Sequence, residues 1–239
     1  MLAATIEELR AIALGATDAS GYFPAMYAQV TDRIRAAAAS GRFDDAARME
    51  RFAETFAGFY TRARAGTGDV PRCWQGAFDV AGDGRLMIVQ HLLLGINAHV
   101  NNDLPQVVVA LAGDADLAPL KPDFDAVNTI LAETLPMVLH SLGTVSRWVN
   151  VVAARGGQRV FDFSLVVARD QAWRAAERLH GLDATARPAA VHELDDMVAV
   201  LAYLVAHPGP PGSWAAAVGR RLELHDPVKV TRALLGPLA

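Results

Sequence analysis

The sequence has one cysteine, Cys73, so no disulfide can form within the chain. It also lacks an excess of basic residues, because 22 lysines and arginines stand against 26 aspartates and glutamates, for a net charge of -4. Proteins that bind nucleic acid or anionic membranes usually present a broad basic surface, and this composition does not supply one. We therefore expect a partner that is neither a nucleic acid nor a membrane, and a reducing compartment fits the single thiol.

Long hydrophobic runs are also missing. The longest apolar run in the C-terminal half, residues 197–206, has about half of the roughly 20 residues that a membrane span needs. The N-terminal residues M-L-A-A-T-I-E-E-L-R carry acids where a signal peptide has bases. We expect a soluble, cytoplasmic protein.

The common catalytic motifs are absent as well. The sequence contains no G-x-S-x-G elbow, Walker loop, dinucleotide fingerprint, H-E-x-x-H or C-x-x-C. Alternating strand patterns and fixed-period repeats are also missing, which argues against a β fold and against a solenoid.

Apolar residues recur instead at helical spacing along most of the chain. This pattern predicts an all-α fold in which residues 1–239 form a single-domain multi-helix bundle around a central buried helix at about 85–102. The segment P-G-P-P-G at 208–212 predicts a break before a short helical tail. The other predicted helices cover residues 5–15, 22–40, 44–65, 73–80, 123–134, 136–154, 161–180, 188–207 and 213–224, with a last one after 227.

The central stretch, residues 85–109, is strongly apolar but contains several polar side chains. Polar groups inside an apolar helix are costly unless they are hydrogen-bonded or bind a ligand. The stretch is therefore predicted to form the floor of a pocket. Its polar residues are Gln90, His91, Asn97, His99, Asn101, Asn102 and Asp103.

Helical geometry places some of these residues together. Because each residue turns about 100°, His99 and Asp103 are neighbours one turn apart, and His91 shares their side of the helix. Gly95 leaves room for a ligand or a crossing helix. Asn97 points elsewhere and is expected to bond a neighbouring segment.

A histidine and an aspartate at this spacing can bind one divalent metal ion or work as an acid–base pair. Either role needs a partner from another helix, and Asp123, Asn128 and His140 are candidates. The metal hypothesis groups His99 and Asp103 with His91 and His140. The competing interpretation is structural: Asp103 fixes the tautomer of a core histidine.

At N-A-H-V-N-N-D-L-P, residues 97–105, the chain resembles an uncharacterised bacterial family that is common in actinobacteria and is known as a domain of unknown function. The family pattern is N-A-H-I-N-x-D-L-P. Further similarities are D-F-D-A-V-N at 123–128, A-R-D-Q-A-W at 168–173 and Trp74. The resemblance covers about residues 22–182 and brings no established reaction.

The resemblance implies that eight residues occupy the family's recurring polar positions. In the catalytic hypothesis four of them act on the substrate, and Arg169 either holds an anionic substrate or forms an ion pair. The candidates are His99, Asp103, Asp123 and Arg169 for catalysis, and Asn97, Asn102, Asn128 and Trp173 for ligand binding.

Two main hypotheses about function follow. The first is an enzyme acting on a small molecule, either a metal-dependent hydrolase or a metal-free isomerase, lyase or cyclase. The alternative is a non-catalytic helical module that binds an apolar ligand or a protein partner. A third hypothesis is a homodimeric scaffold, which needs exposed aromatic residues on the helix at 52–60. An enzyme should expose His99 and Asp103 to a cavity, whereas a binding module should bury them in a saturated hydrogen-bond network.

Overall fold

The computed structural model describes residues 2–152 and 158–236 of the chain. The described residues form an all-α multi-helix bundle, as predicted, and no β-sheet. The end of the helix predicted at 136–154 lies outside the described residues. The helices are α1 (Leu2–Gly15), α2 (Tyr22–Ala39), α3 (Ala46–Ala65), α4 (Arg72–Asp79), α5 (Ile88–Asn97), α6 (Leu104–Ala112), α7 (Lys121–Val145), α8 (Arg147–Val152), α9 (Gln158–His180), α10 (Arg187–Ala206), α11 (Gly212–Arg220) and α12 (Pro227–Leu235).

The predicted central helix continues beyond residue 102 and has a change of pitch. A π-helical turn, Ala98–Asp103, joins α5 to α6, so the chain stays helical from Ile88 to Ala112. Pro105 has no N–H to donate and its ring crowds the preceding turn, which disfavours ordinary α-helical bonding there. The backbone N–H of Leu104 instead bonds the carbonyl of His99, five residues earlier. The widened turn contains His99, Asn102 and Asp103, and π-helical turns often mark functional sites.

A second proline also lies within a helix. The sequence predicted separate helices on either side of residue 135, but α7 runs through Pro136. Proline removes the hydrogen bond to the carbonyl of Ala132. Both residues are exposed, so water can hydrate that carbonyl and the helix continues.

The central helix packs closely against its neighbours. It contacts α2, α4 and α10 along α5, and α3 and α9 along the π-helical turn and α6. A Cβ atom added to Gly95 would lie 2.5 Å from the ring of Phe23. The small residue therefore serves a crossing helix, which was one of the two roles expected for it.

Buried carboxylates from distant segments bind N–H groups at helix starts that have no partner within the helix. Asp195 of α10 accepts hydrogen bonds from the backbone N–H groups of Arg72 (2.7 Å) and Cys73 (3.0 Å) at the start of α4. Glu223 accepts one from Ile88 (2.9 Å) at the start of α5. The first N–H groups of a helix have no partner inside it, so these contacts fix where each helix begins.

The C-terminal segment returns to the bundle after the break at 208–212. Helix α12 packs against α2 and α7 and buries Val230 and Leu234. On α3, Phe52 and Tyr60 are buried, so this helix does not offer the aromatic surface that the scaffold hypothesis needed. No helix in the described part of the chain is both long and apolar enough to cross a bilayer.

Candidate functional site

The carboxylate of Asp103 is the centre of a buried group of polar side chains in the π-helical turn. One carboxylate oxygen, Oδ2, accepts a hydrogen bond from Trp74 Nε1 at 2.9 Å and contacts His99 Nδ1 at 3.1 Å. The other, Oδ1, accepts one from Asn102 Nδ2 at 2.9 Å. We call Trp74, His99, Asn102 and Asp103 the Asp103 cluster. The predicted pairing of His99 with Asp103 is therefore present, and three side-chain donors contact the carboxylate of Asp103.

The protonation state of His99 follows from its surroundings. Burial lowers the pKa of the imidazole below its usual 6.5, and this effect outweighs the opposing influence of Asp103. The ring is therefore neutral at neutral pH, and the contact with Asp103 places its one proton on Nδ1. Nε2 is left as a hydrogen-bond acceptor. It is buried, and no described residue forms a hydrogen bond with it.

Aromatic rings hold the imidazole of His99 in place. The ring of Phe56 stacks on it, with 3.5 Å between centroids and 6° between planes. Tyr27, Phe23 and Trp74 contact it at tilted or edge-on angles, with centroids 4.5, 5.5 and 6.2 Å away. With Nδ1 bonded to Asp103 as well, the ring cannot rotate freely, and the position of Nε2 is fixed.

His99 lies on the wall of a cavity of about 180 Å³. The polar residues on that wall are Tyr27, Thr31, His99, Thr134 and Arg169. The two threonine hydroxyls donate to carbonyls four residues earlier in their own helices, at 2.8 and 2.7 Å. His99 has a buried nitrogen without a described partner and Arg169 carries a charge, so these two residues are the candidates for specific contacts with a ligand. Apolar wall residues include Met26, Val30, Ile34, Phe52, Phe56 and Leu131.

Arg169 brings a buried positive charge to the same cavity. Its side chain is 4% exposed, Nε donates to Asn128 Oδ1 at 2.6 Å, and Nη2 donates to the carbonyl oxygen of Phe124 at 2.7 Å. The guanidinium also lies 4.2 Å from the centre of the Phe124 ring. Burial lowers the pKa of Arg169 to about 10, so the group stays charged at neutral pH. No carboxylate of the described residues lies within 4.0 Å of it.

The catalytic hypothesis expected Asp123 to lie opposite the Asp103 cluster, but the structure places it elsewhere. Its carboxylate accepts hydrogen bonds from the backbone N–H groups of Asp44 (2.7 Å) and Asp45 (3.1 Å) and from Arg48 Nη2 (2.8 Å). These donors lower its pKa below the usual 3.8, although burial acts the other way. Asp123 is not part of the cavity wall. It binds the N-terminal end of α3, which is a structural role.

Two predicted ligand-binding residues also lie away from the cavity. Asn97 donates to the carbonyl of Val198 on α10 at 2.9 Å and accepts from Asn101, so it bonds a neighbouring helix as expected. Trp173 donates to Glu177 at 2.8 Å and packs outside the cavity wall.

The histidines proposed as further metal ligands do not join the Asp103 cluster. His91 contacts the ring of Tyr22, and it lies in a separate depression beside Asp83. His140 is exposed on α7. Among the described residues, no three or more histidine, cysteine, aspartate or glutamate side chains come together in a way that could hold a metal ion.

Sequence reasoning missed the aromatic side of the site. Phe56 appeared only as one of several apolar positions on α3, while Phe23 and Tyr27 carried no sign that they enclose His99. All three reach the imidazole from helices that are distant in the sequence. An i, i+4 pair of aromatic residues, such as Phe23 and Tyr27 on α2, was the available signal. It shows which face of the helix is apolar and not what that face contacts.

Comparison with known proteins supports the resemblance to a family of unknown function. Neither curated proteins nor solved structures give a match to this chain. The model of one protein family matches residues 2–208, which is most of the chain and includes the whole Asp103 cluster and Arg169. The chain belongs to the family of unknown function DUF5995.

Proposed function

We propose that the protein binds a small, mostly apolar molecule in the cavity, and that His99 accepts a hydrogen bond from a donor group of that molecule. The observation that carries this proposal is the state of Nε2. It is buried and held in a fixed position, it has no partner among the described residues, and it belongs to a residue that lines a mostly apolar cavity. Buried polar atoms are usually hydrogen-bonded, so an unpaired one in a residue that lines a cavity supports the proposal of a ligand contact.

The size of the cavity limits the ligand. An apolar cavity of about 150 Å³ is known to hold a benzene molecule. The cavity here measures about 180 Å³, which favours one substituted aromatic ring or a short aliphatic chain. Specificity would then depend on few polar contacts, as in most small-molecule sites.

Paired probes of nearly the same shape test the role of Nε2. 4-Ethylphenol carries a hydroxyl where 4-ethyltoluene carries a methyl group, and both approach the size limit. A buried acceptor without a partner costs about 1–3 kcal/mol, and the phenol hydroxyl would supply that partner. We expect calorimetry to show that 4-ethylphenol binds at least about fivefold tighter.

Two variants make the test specific. In His99→Phe the ring is retained but the acceptor is lost, so 4-ethyltoluene should still bind and the preference for the phenol should disappear. Ala53→Leu places bulk on the cavity wall and should weaken both probes together. A wild-type protein that binds the methyl compound as tightly as the phenol would refute the hydrogen bond to Nε2.

A second candidate function is metal-free proton transfer, favoured by the orientation of His99. A carboxylate on Nδ1 fixes the tautomer of a general-base histidine and stabilises the imidazolium that forms. In the proposed step, Nε2 takes a proton from a substrate C–H, the electron pair of that bond stays on the substrate as an enolate, and Nε2 later returns the proton. The class would be an isomerase, lyase or cyclase.

Exchange of hydrogen for deuterium tests this candidate without knowledge of the substrate. In D2O, proton NMR would follow the methyl protons next to the carbonyl of 4-ethylacetophenone. If His99 is a general base, wild-type protein should accelerate the exchange of these methyl protons for deuterium. The variant Asp103→Asn should still bind the ketone but should not accelerate the exchange. Equal exchange with and without protein would leave binding alone as the proposed function.

A further inference from the structure

We propose that Arg169 is an anion site and that the ligand is a small apolar monocarboxylate. This inference depends on the proposed function, because it assigns the acidic group of a molecule that the cavity binds. Two independent observations support it: a buried guanidinium without a carboxylate partner in the described structure, and its position on the wall of the cavity that contains His99.

The charge of Arg169 is incompletely compensated by the described protein. A buried ion is expensive unless a counter-ion and hydrogen bonds replace its water. Its two described hydrogen bonds go to a neutral amide and a neutral carbonyl. The negative charges that act on it, Asp125 and Asp170, lie beyond ion-pair distance, and the Asp125 carboxylate is already bound by Lys121. A ligand carboxylate would supply the missing charge.

Arg48 is an arginine whose charge is matched by a carboxylate in this protein. Its Nη2 lies 2.8 Å from Asp123 Oδ2, so its charge is matched within the fold. It is also absent from the cavity wall. The contrast between the two arginines is therefore both electrostatic and positional, and it provides a control.

The donors of Arg169 leave room for a carboxylate. A guanidinium carries five N–H donors, and hydrogen bonds to the described residues come from Nε and Nη2. No described acceptor bonds Nη1. A single guanidinium favours a monoanion, since a dianionic phosphate would have to give up more hydration for the same partner. The neutral His99 offers a lone pair, which repels a carboxylate and attracts a hydroxyl. The two groups would thus hold opposite kinds of polar substituent.

A second pair of probes tests the anion site. 4-Ethylbenzoate and 4-ethylacetophenone have nearly the same shape and differ in charge. Calorimetry at pH 7 should show that the benzoate binds wild-type protein at least tenfold tighter than the ketone. Addition of the benzoate should also shift the Nε–H NMR signal of Arg169, and the ketone should not.

Variants connect the effect to Arg169. Arg169→Met should remove the preference for the benzoate while ketone binding stays within about threefold, and Arg48→Met should leave the preference unchanged. If Arg169→Met does not fold, Arg169→Lys serves instead, and the preference should fall severalfold because the forked geometry is lost.

The outcomes separate the two proposals. Binding of 4-ethylphenol and the ketone without a preference for the benzoate in wild-type protein would overturn the anion site and leave the proposed function intact. Failure of all four probes to bind would overturn both.

Discussion

Asp103 and Asp123 are equally buried, each 1% exposed, and both were candidates for catalysis, yet they do different work. The donors around Asp123 are two backbone N–H groups and an arginine, so its charge stabilises a helix start and an ion pair. The donors around Asp103 belong to side chains, and one of them is an imidazole that reaches a cavity. The type and burial of a residue do not distinguish these roles, whereas the chemistry of its donors does.

The largest effect is expected for Asp123→Asn. Both carboxylate oxygens of Asp123 accept hydrogen bonds from backbone N–H groups, which can only donate. An asparagine would place its NH2 group against one of these donors. With the ion pair to Arg48 lost as well, the free energy of unfolding in urea should fall by about 3 kcal/mol.

Glu133→Gln is the control for this loss, because it removes an exposed ion pair with Arg42 and should change stability by less than about 1 kcal/mol. The preference for 4-ethylphenol should survive Asp123→Asn. A shift in that preference would contradict the separation of the two carboxylates.

Acid should reduce stability in two pH ranges, one set by the buried histidines and the other by Asp123. Burial lowers the pKa of His99 below 6.5 and that of His91 to about 4, so the unfolded chain binds more protons than the native protein below pH 6.5. Stability is therefore expected to fall as the pH drops from 6.5, by about 1.4 kcal/mol per pH unit for each proton taken up on unfolding. The contribution of Asp123, whose pKa is lowered, is present above 3.8 and disappears only below that value.

Urea unfolding of wild type and His91→Gln between pH 8 and pH 4 measures how much of this loss of stability comes from His91. The variant should lose less stability than wild type between pH 6.5 and pH 4. The pKa of Glu223 is raised, which affects stability in the opposite direction, but this effect is the same in both proteins. Parallel curves for the two proteins would show that His91 is not a source of the loss.

The sequence predicted the fold well because helical spacing is a local property. The same spacing placed His99 beside Asp103, since one helical turn separates them. It could not place Trp74, Phe56 or Arg48, because each reaches its partner from a helix that is distant in sequence. Asp123 was assigned to the wrong place for the same reason: the sequence shows an acid near a helix start and does not show which helix the acid binds.

Trp74→Phe tests the hydrogen bond from Trp74 to Asp103, and its expected effect is smaller than that of Asp123→Asn. The substitution removes a buried hydrogen bond to a carboxylate, and bonds to charged groups contribute about 1.5–3 kcal/mol. We expect the free energy of unfolding to fall by about 2 kcal/mol. Trp173→Phe is the control, because its partner Glu177 is exposed, and it should lose about 1 kcal/mol or less. Equal losses would mean that the hydrogen bond to Asp103 adds little.

The smallest loss of stability is expected for Asp103→Asn, although this substitution removes the charge of a buried carboxylate. Both Trp74 and His99 bond the same oxygen of Asp103, so an asparagine can keep its carbonyl oxygen there. Its NH2 group would then face Asn102, whose buried Oδ1 has no partner in the described structure. A turn of the Asn102 amide would present that oxygen as an acceptor.

Asp103→Asn should therefore lose less than about 1 kcal/mol and keep the tautomer of His99, which 15N NMR of the ring would show. Asn102→Leu removes the side chain that turns. A double-mutant cycle of the two substitutions should thus give a coupling energy of about 1 kcal/mol or more. Additive losses would mean that Asn102 does not compensate. In that case Asp103 would resemble Asp123 after all, as a carboxylate whose charge the fold itself requires.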